Sequence, residues 1–184
     1  GTVIISAGGN CDDITKVVEP VLQKDGGSIY YINLSNDAYE LGGSSFAQIL
    51  NRIGNVTPDV KDAAKFKTAF NTIQQLIKED KIQAGHDIGS GGLITTLLEM
   101  CFADNDLSAV INIDSLKESD LIKVLFAENI GIVFQADSSV EETLKANNVE
   151  FHNIGYPVDG NHLQIRHQDT AYNFNISELR DVWF

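Results

Sequence analysis

The stretch Gly85-His-Asp-Ile-Gly-Ser-Gly-Gly-Leu-Ile-Thr-Thr-Leu-Leu-Glu99 holds the residue types best suited to chemistry. A carboxylate, Asp87, stands at the end of an expected strand, the flexible turn Gly89-Ser90-Gly91-Gly92 follows, and a helix then begins. Glycines let a backbone approach a ligand closely. The free N–H groups and positive dipole end of a helix N-terminus favour an anion such as phosphate. A carboxylate beside that anion makes sense with a hard cation between them, typically Mg²⁺, which is commonly held by one or two carboxylates plus phosphate oxygens. One Asp is too few for a metal site, so further ligands would have to come from elsewhere. His86 is either a base or polar contact, or a structural residue satisfied by its neighbours. Glu99, two turns into the helix, reads as a surface or interface carboxylate. The plain alternative is an ordinary strand–turn–helix joint with Asp87 or Ser90 as N-cap, since the pattern fits neither the P-loop nor the dinucleotide fingerprint. Gly42, Gly43 and Ser44 form a second small-residue turn before a helix, open to packing and N-capping or to ligand binding.

The elements that must position these residues follow from apolar spacing. Thr2–Ser6 reads as a buried strand. Ile14, Val17, Val18, Val21 and Leu22 share a helical face, with caps at Asn10 to Asp13 and a kink or end at Pro20. Ser28–Leu34 is a strand rich in aromatic and β-branched residues. Ser44 or Ser45 caps a helix with Phe46, Ile49, Leu50 and Ile53 on one side. Phe66, Phe70, Ile73 and Ile77 mark the clearest helix. Further expectations are a strand end at Gln83–Asp87, a helix over Leu93–Phe102, a strand over Leu107–Ile113, a helix over Asp120–Glu128 and a strand over Gly131–Gln135. A helix through Leu144 is capped by Ser138. Strands Asn153–Val158 and Leu163–Arg166 are joined by a turn at Asp159-Gly160-Asn161, and a strand over Ala171–Phe174 follows. Ser177 caps a final helix, whose Trp183 either tucks into the core or marks a chain cut from something longer. Interspersed helices and strands give an α+β class (α/β-like layers) with a mixed β-sheet packed by helices, as one domain over residues 1–184.

Composition sets outer bounds. Thirteen Lys and Arg against 26 Asp and Glu give a formal charge of −13 over 184 residues. That argues against general nucleic-acid binding, which needs cations to displace phosphate counterions, and against an anionic membrane surface. It leaves room for a phosphate ligand held by metal or backbone N–H groups. No apolar run spans a bilayer and no signal-peptide pattern opens the chain. Cys11 and Cys101 read as reduced thiols, Cys101 as core packing. Three Asn-x-Ser/Thr matches, at Asn33, Asn55 and Asn175, matter only for a secreted protein. The expectation is a cytoplasmic protein.

Residues 86–105, HDIGSGGLITTLLEMCFADN, resemble the HD-x-S-D-GGL-x-x-x-L-x-E-M-A-F-A segment of the phosphoribosylformylglycinamidine synthase family, within the aminoimidazole ribonucleotide synthetase superfamily. Ala38–Gln48 is similar to that family's A-LGG-S-x-x-A-Q segment, Leu125–Gly131 to its L-F-x-E-x-x-G and Leu179–Trp183 to its L-R-x-x-W. The resemblance implies the superfamily's C-terminal domain, here the second of two such domains in a large enzyme. That enzyme is an ATP-dependent carbon–nitrogen ligase of purine biosynthesis. It amidates formylglycinamide ribonucleotide with ATP, Mg²⁺ and ammonia from glutamine. The implied partners are N-terminal-type synthetase domains and a glutaminase domain following Phe184, and a dimer of the isolated domain would be a consequence of its bared face. By the same resemblance Asp87 is the metal ligand. His86, Gly89, Ser90, Gly91 and Gly92, with Gly42, Gly43 and Ser44, contact ATP or ADP. No catalytic residue is expected in this chain, which alone would be inactive. Gly89 stands where the family usually has a nucleotide-contacting Ser, and Ser90 where an acidic residue is usual. Those departures leave open a scaffold domain with a decayed site. The hydrogenase-maturation and selenophosphate branches of the superfamily stay open as well.

Overall fold

The computed structural model describes residues 4–11, 13–103 and 106–183. Seven strands make one sheet: β1 (Ser28–Asn33), β2 (Ile82–Asp87), β3 (Leu107–Asn112), β4 (Gly131–Ala136), β5 (His152–Asp159), β6 (His162–His167) and β7 (Thr170–Asn175). Their order is β2-β4-β1-β5-β3-β6-β7. Every pairing is antiparallel except β3 with β6. The six α-helices are α1 (Ser45–Ile49), α2 (Ala63–Lys78), α3 (Gly92–Cys101), α4 (Leu121–Phe126), α5 (Val140–Ala146) and α6 (Ile176–Trp183). The sheet is mixed and helix-covered, the α+β class expected from the sequence. Among the described residues no helix is long and apolar enough to cross a membrane.

Strand alternation explains why helices cover both faces. In β1, Ile29 and Tyr31 join a core with Leu93 and Leu97 of α3, Val124 and Leu125 of α4 and Ile176 of α6. Tyr30 and Ile32 face a second core with Ala69, Ile73 and Leu76 of α2 and Val140 and Leu144 of α5. A strand buried on both faces must be apolar throughout, as Ile-Tyr-Tyr-Ile is. Cys101 is buried in the first core, and burial pushes its thiol up to about 12, as a packing residue requires.

Several expectations need correction. Ile4–Ser6 lie in no strand and Ile4 and Ile5 are exposed, while Thr2 and Val3 fall outside the described residues. The expected helix from Ile14 to Leu22 is only a 3-10 turn, Ile14–Lys16, capped by Asp13 accepting from the Thr15 N–H. Beyond it the chain runs extended as a strap along β2, where Gly85 N–H donates to the Glu19 carbonyl at 3.1 Å. Pro20 has no N–H to continue a helix. α1 ends at Ile49, leaving Ile49, Leu50 and Ile53 exposed. α2 buries Ala69, Thr72, Ile73 and Leu76, so its inner face is offset from the aromatic stripe and Phe70 is 48% exposed. Ser139, not Ser138, precedes α5, and it makes no side-chain cap. Ser177 lies inside α6, whose start is held by Asn175 and Asn161 side chains accepting the Glu178 and Ser177 N–H groups. Trp183 is 55% exposed and only flanks Phe102, and Phe184 lies outside the described residues. The Gly160-Asn161 turn exists, but β5 and β6 do not pair. The turn steps over the start of β3, where Gly160 N–H donates to the Asp106 carbonyl, and β3 lies between the two strands.

Candidate functional site

The end of β2 carries the candidate residues: β2 is the first strand in the sheet order, and a four-residue turn joins it to α3. Asp87 pairs with Ile132 of β4, and Ile88 N–H donates to the Gly131 carbonyl at 2.9 Å, so the strand end is fixed. Thr96 Oγ1 reaches back from α3 to the Asp87 carbonyl at 3.1 Å. The Asp87 carboxylate itself is free to act: its side chain is 86% exposed, and its contact is His86 Nδ1 at 3.4 Å from Oδ1. His86 is half-buried, with Nδ1 2.8 Å from the Asp87 carbonyl and Nε2 3.1 Å from Glu99 Oε2. Glu99, expected from the sequence as a surface or interface carboxylate, is half-buried and paired with His86.

Two cavities meet at Asp87, each with α2 as a wall. One, of about 480 Å³, lies under the strap between Val18, Pro20, Ile77 and Phe134. The other, of about 210 Å³, is bounded by Phe66, Phe70 and Ile130. A third, polar cavity of about 420 Å³ lies at the C-terminal end of β1, among Lys65, Lys117, Glu150 and His152. Burial, opposed by the nearby Glu150, holds the His152 imidazole below its ordinary value.

The three glycines and the serine of the turn divide by role. Gly91 (φ +87°) is the N-cap of α3 and supplies no side-chain cap. Gly92 (φ +73°) lies so close to the C-terminal end of α4 that an added Cβ would sit 2.7 Å from the Leu125 carbonyl oxygen. Both hold left-handed backbone that a residue with a Cβ adopts only under strain. Gly89 is different: a Cβ there would meet nothing within 4 Å, and Ser90 is exposed. Gly89→Ser should therefore leave stability within about 0.5 kcal/mol of the parent, as surface changes without strain do. Urea titration checks this, and a loss above about 1 kcal/mol would contradict the open geometry.

The second turn is built for packing. Gly42 N–H donates to the Val56 carbonyl at 2.8 Å, and a Cβ there would lie 2.2 Å from that oxygen. Gly43 N–H donates to the Ile53 carbonyl at 2.7 Å. Ser44 is buried and caps α1, its Oγ accepting from Ala47 N–H at 3.2 Å and donating to the Leu41 carbonyl at 2.7 Å.

Sequence reasoning did not single out Glu128. Its Oε1 accepts the Gly91 N–H and the Ser45 N–H, both at 2.8 Å. Three of the four segments that carry the family resemblance thus converge on one oxygen atom. The available signal was Glu128's place inside the Leu125–Gly131 match. Next to it, buried Asn129 donates from Nδ2 to Ser35 Oγ at 2.9 Å and to the Ala38 carbonyl at 3.1 Å. Among the described residues no group of three or more His, Cys, Asp and Glu is arranged to hold a metal ion. Asp87 alone does not make one.

Residues 24–168 match the family described as AIR synthase related protein, C-terminal domain. The chain belongs to that family. The AIR synthase related domain is 37% identical over 191 aligned residues to the Arabidopsis thaliana protein named probable phosphoribosylformylglycinamidine synthase, chloroplastic/mitochondrial, covering all of this chain and 13% of that protein. It is also 37% identical over 153 residues to the Caenorhabditis elegans probable phosphoribosylformylglycinamidine synthase, covering 75% of this chain and 11% of that protein. The domain thus spans about an eighth of the length of these curated relatives. Its fold is similar to that of Thermotoga maritima PurL complexed with ATP, with a TM-score of 0.68 at 12% identity over 91% of this chain and 28% of that one.

Proposed function

We propose that this domain, residues 1–184, is one part of a phosphoribosylformylglycinamidine synthase, an ATP-dependent ligase of purine biosynthesis, and that the end of β2 supplies part of a Mg-nucleotide pocket. The observation that carries the reading is the Asp87 carboxylate, 86% exposed at a fixed strand end beside the open Gly89. It occurs on a chain 37% identical, over its whole length, to a relative of that name. Magnesium bound there would draw its remaining oxygen ligands and phosphate from outside the described residues. Those, and the reacting groups, belong in this reading to N-terminal-type synthetase domains and a glutaminase domain of the same enzyme, so the domain alone is inactive.

The test is Mg-nucleotide binding by the longest natural chain that contains this domain, with and without Asp87→Ala. Affinity should fall at least about tenfold, since a lost charge-assisted metal contact costs more than 1.4 kcal/mol. Unchanged affinity would remove Asp87 from the metal site. A second reading is favoured by the Gly89 and Ser90 departures and by Glu128 already holding the Gly91 N–H: a scaffold domain whose nucleotide site has decayed. It holds if the parent long chain binds no nucleotide at all.

A further inference from the structure

α3 starts on two glycines in left-handed backbone, with no side-chain cap of its own. The first N–H groups of a helix have no intrahelical partner, and the dipole favours a negative charge beside them. That charge comes from within the chain. Glu128 Oε1 takes the Gly91 N–H, and the same oxygen takes the Ser45 N–H across from it. The Ser44 hydroxyl satisfies Ala47 at the start of α1 but leaves Ser45 for Glu128. Glu128 follows the end of α4, where Ala127 (ψ 133°) turns the chain extended. It precedes Asn129, which the 35–38 loop fixes in place. The carboxylate is thus delivered on backbone held at both ends.

We propose that Glu128 is the resident anion of this site. It occupies the position between the two turns where a ligand's phosphate or carboxylate oxygen would otherwise sit. It closes the Gly91 and Ser45 N–H groups to ligands and locks the two turns together. An incoming anion reaches Gly91 only by displacing Glu128, and that displacement also releases Ser45 and the start of α1. For a nucleotide held at Asp87, which rests on the function proposed above, only the Gly89–Ser90 side of the turn is then open. The occupied seat itself does not depend on that reading.

The test is hydrogen–deuterium exchange by mass spectrometry on the longest natural chain, with no nucleotide present, comparing the parent, Glu128→Ala and Glu128→Gln. Inorganic phosphate and acetate are the probes. In Glu128→Ala, peptides covering residues 42–50 and 88–96 should exchange about tenfold faster together, with strand 107–112 unchanged, because a hydrogen bond to a charged acceptor is lost at each turn. Either probe should restore protection in both segments of Glu128→Ala and leave the parent unaltered. Protection of the parent by phosphate equal to that of the variant would overturn the proposal, because the seat would then be open. Acceleration of one segment alone would overturn the coupling. If Glu128→Ala does not fold, Glu128→Gln decides. It keeps an acceptor oxygen without the charge, and joint acceleration of both segments supports the proposal while a change in one or neither refutes it. A failure of nucleotide binding in the Asp87 experiment leaves every one of these readouts intact.

Discussion

Gly92→Ala should destabilise the domain by about 2–5 kcal/mol and lower its melting temperature by roughly 4–20 °C. Two costs add. A residue with a Cβ held at φ +73° pays about 1–2 kcal/mol for the left-handed backbone. The added methyl also meets the Leu125 oxygen at 2.7 Å, the Phe126 carbonyl carbon at 2.8 Å and the Ala127 oxygen at 2.9 Å. These are backbone atoms, which cannot rotate aside as a side chain can, so overpacking costs about a further 1–3 kcal/mol. The adjacent glycine is a control. A Cβ on Gly91 would meet the Thr95 side chain, whose Oγ1 at 2.3 Å is the far end of a rotatable group. Gly91→Ala should therefore cost little beyond the backbone term. Chemical denaturation of the two variants beside Gly89→Ser gives the series, with Gly89 near zero, Gly91 intermediate and Gly92 largest. A Gly92→Ala variant within about 1 kcal/mol of the parent would show that α3 and the C-terminal end of α4 separate easily.

Phe134→Ala should cost a similar amount, about 3–5 kcal/mol. Phe134 is fully buried in β4, between β1 and β2, and stacks on Tyr30 with ring centroids 5.4 Å apart and planes 20° from parallel. Truncation removes that stacking and leaves a void. The void would open onto the cavity of about 480 Å³ that Phe134 already borders, so its neighbours have little to collapse against. Phe134→Leu fills most of the volume and should cost less than half as much. Urea midpoints with unchanged slope would measure both changes as stability. Equal stability of Phe134→Ala and the parent would mean that this side of the sheet is loosely packed.

The elements legible from sequence were those whose own pattern decides them. β1 and β4 read as strands because continuous β-branched and aromatic runs suit only a strand buried on both faces. α3 was legible from the glycine turn and the apolar run after it, and α4 from Asp120, which does cap it through the Ile122 and Lys123 N–H groups. The segment Ile14–Leu22 misled because its apolar spacing marks no single sheltered face: Ile14 and Val17 are exposed. Val18 lines a cavity and Leu22 enters the core from extended backbone. At the site, Asp87 and both turns were visible as motifs. Glu128 and the His86–Glu99 pair were not: the Glu128 hydrogen bonds join residues 37 and 83 apart in sequence, and His86 meets Glu99 across the turn between β2 and α3, so neither leaves a local trace. The turn between β5 and β6 was found, but what lies beside each strand depends on where β3 inserts.

The sheet order has a bearing on synthesis at the ribosome. β1 lies between β4 and β5, and its first residue, Ser28, pairs with Ala136. At roughly 5–20 residues per second, on the order of ten seconds pass between the emergence of Ser-Ile-Tyr-Tyr-Ile-Asn and that of its first neighbour. Through that interval a strand whose four central residues are buried in the finished domain is nascent chain with no sheet to join. That makes it the segment on which a chaperone waiting at the exit tunnel has most to do.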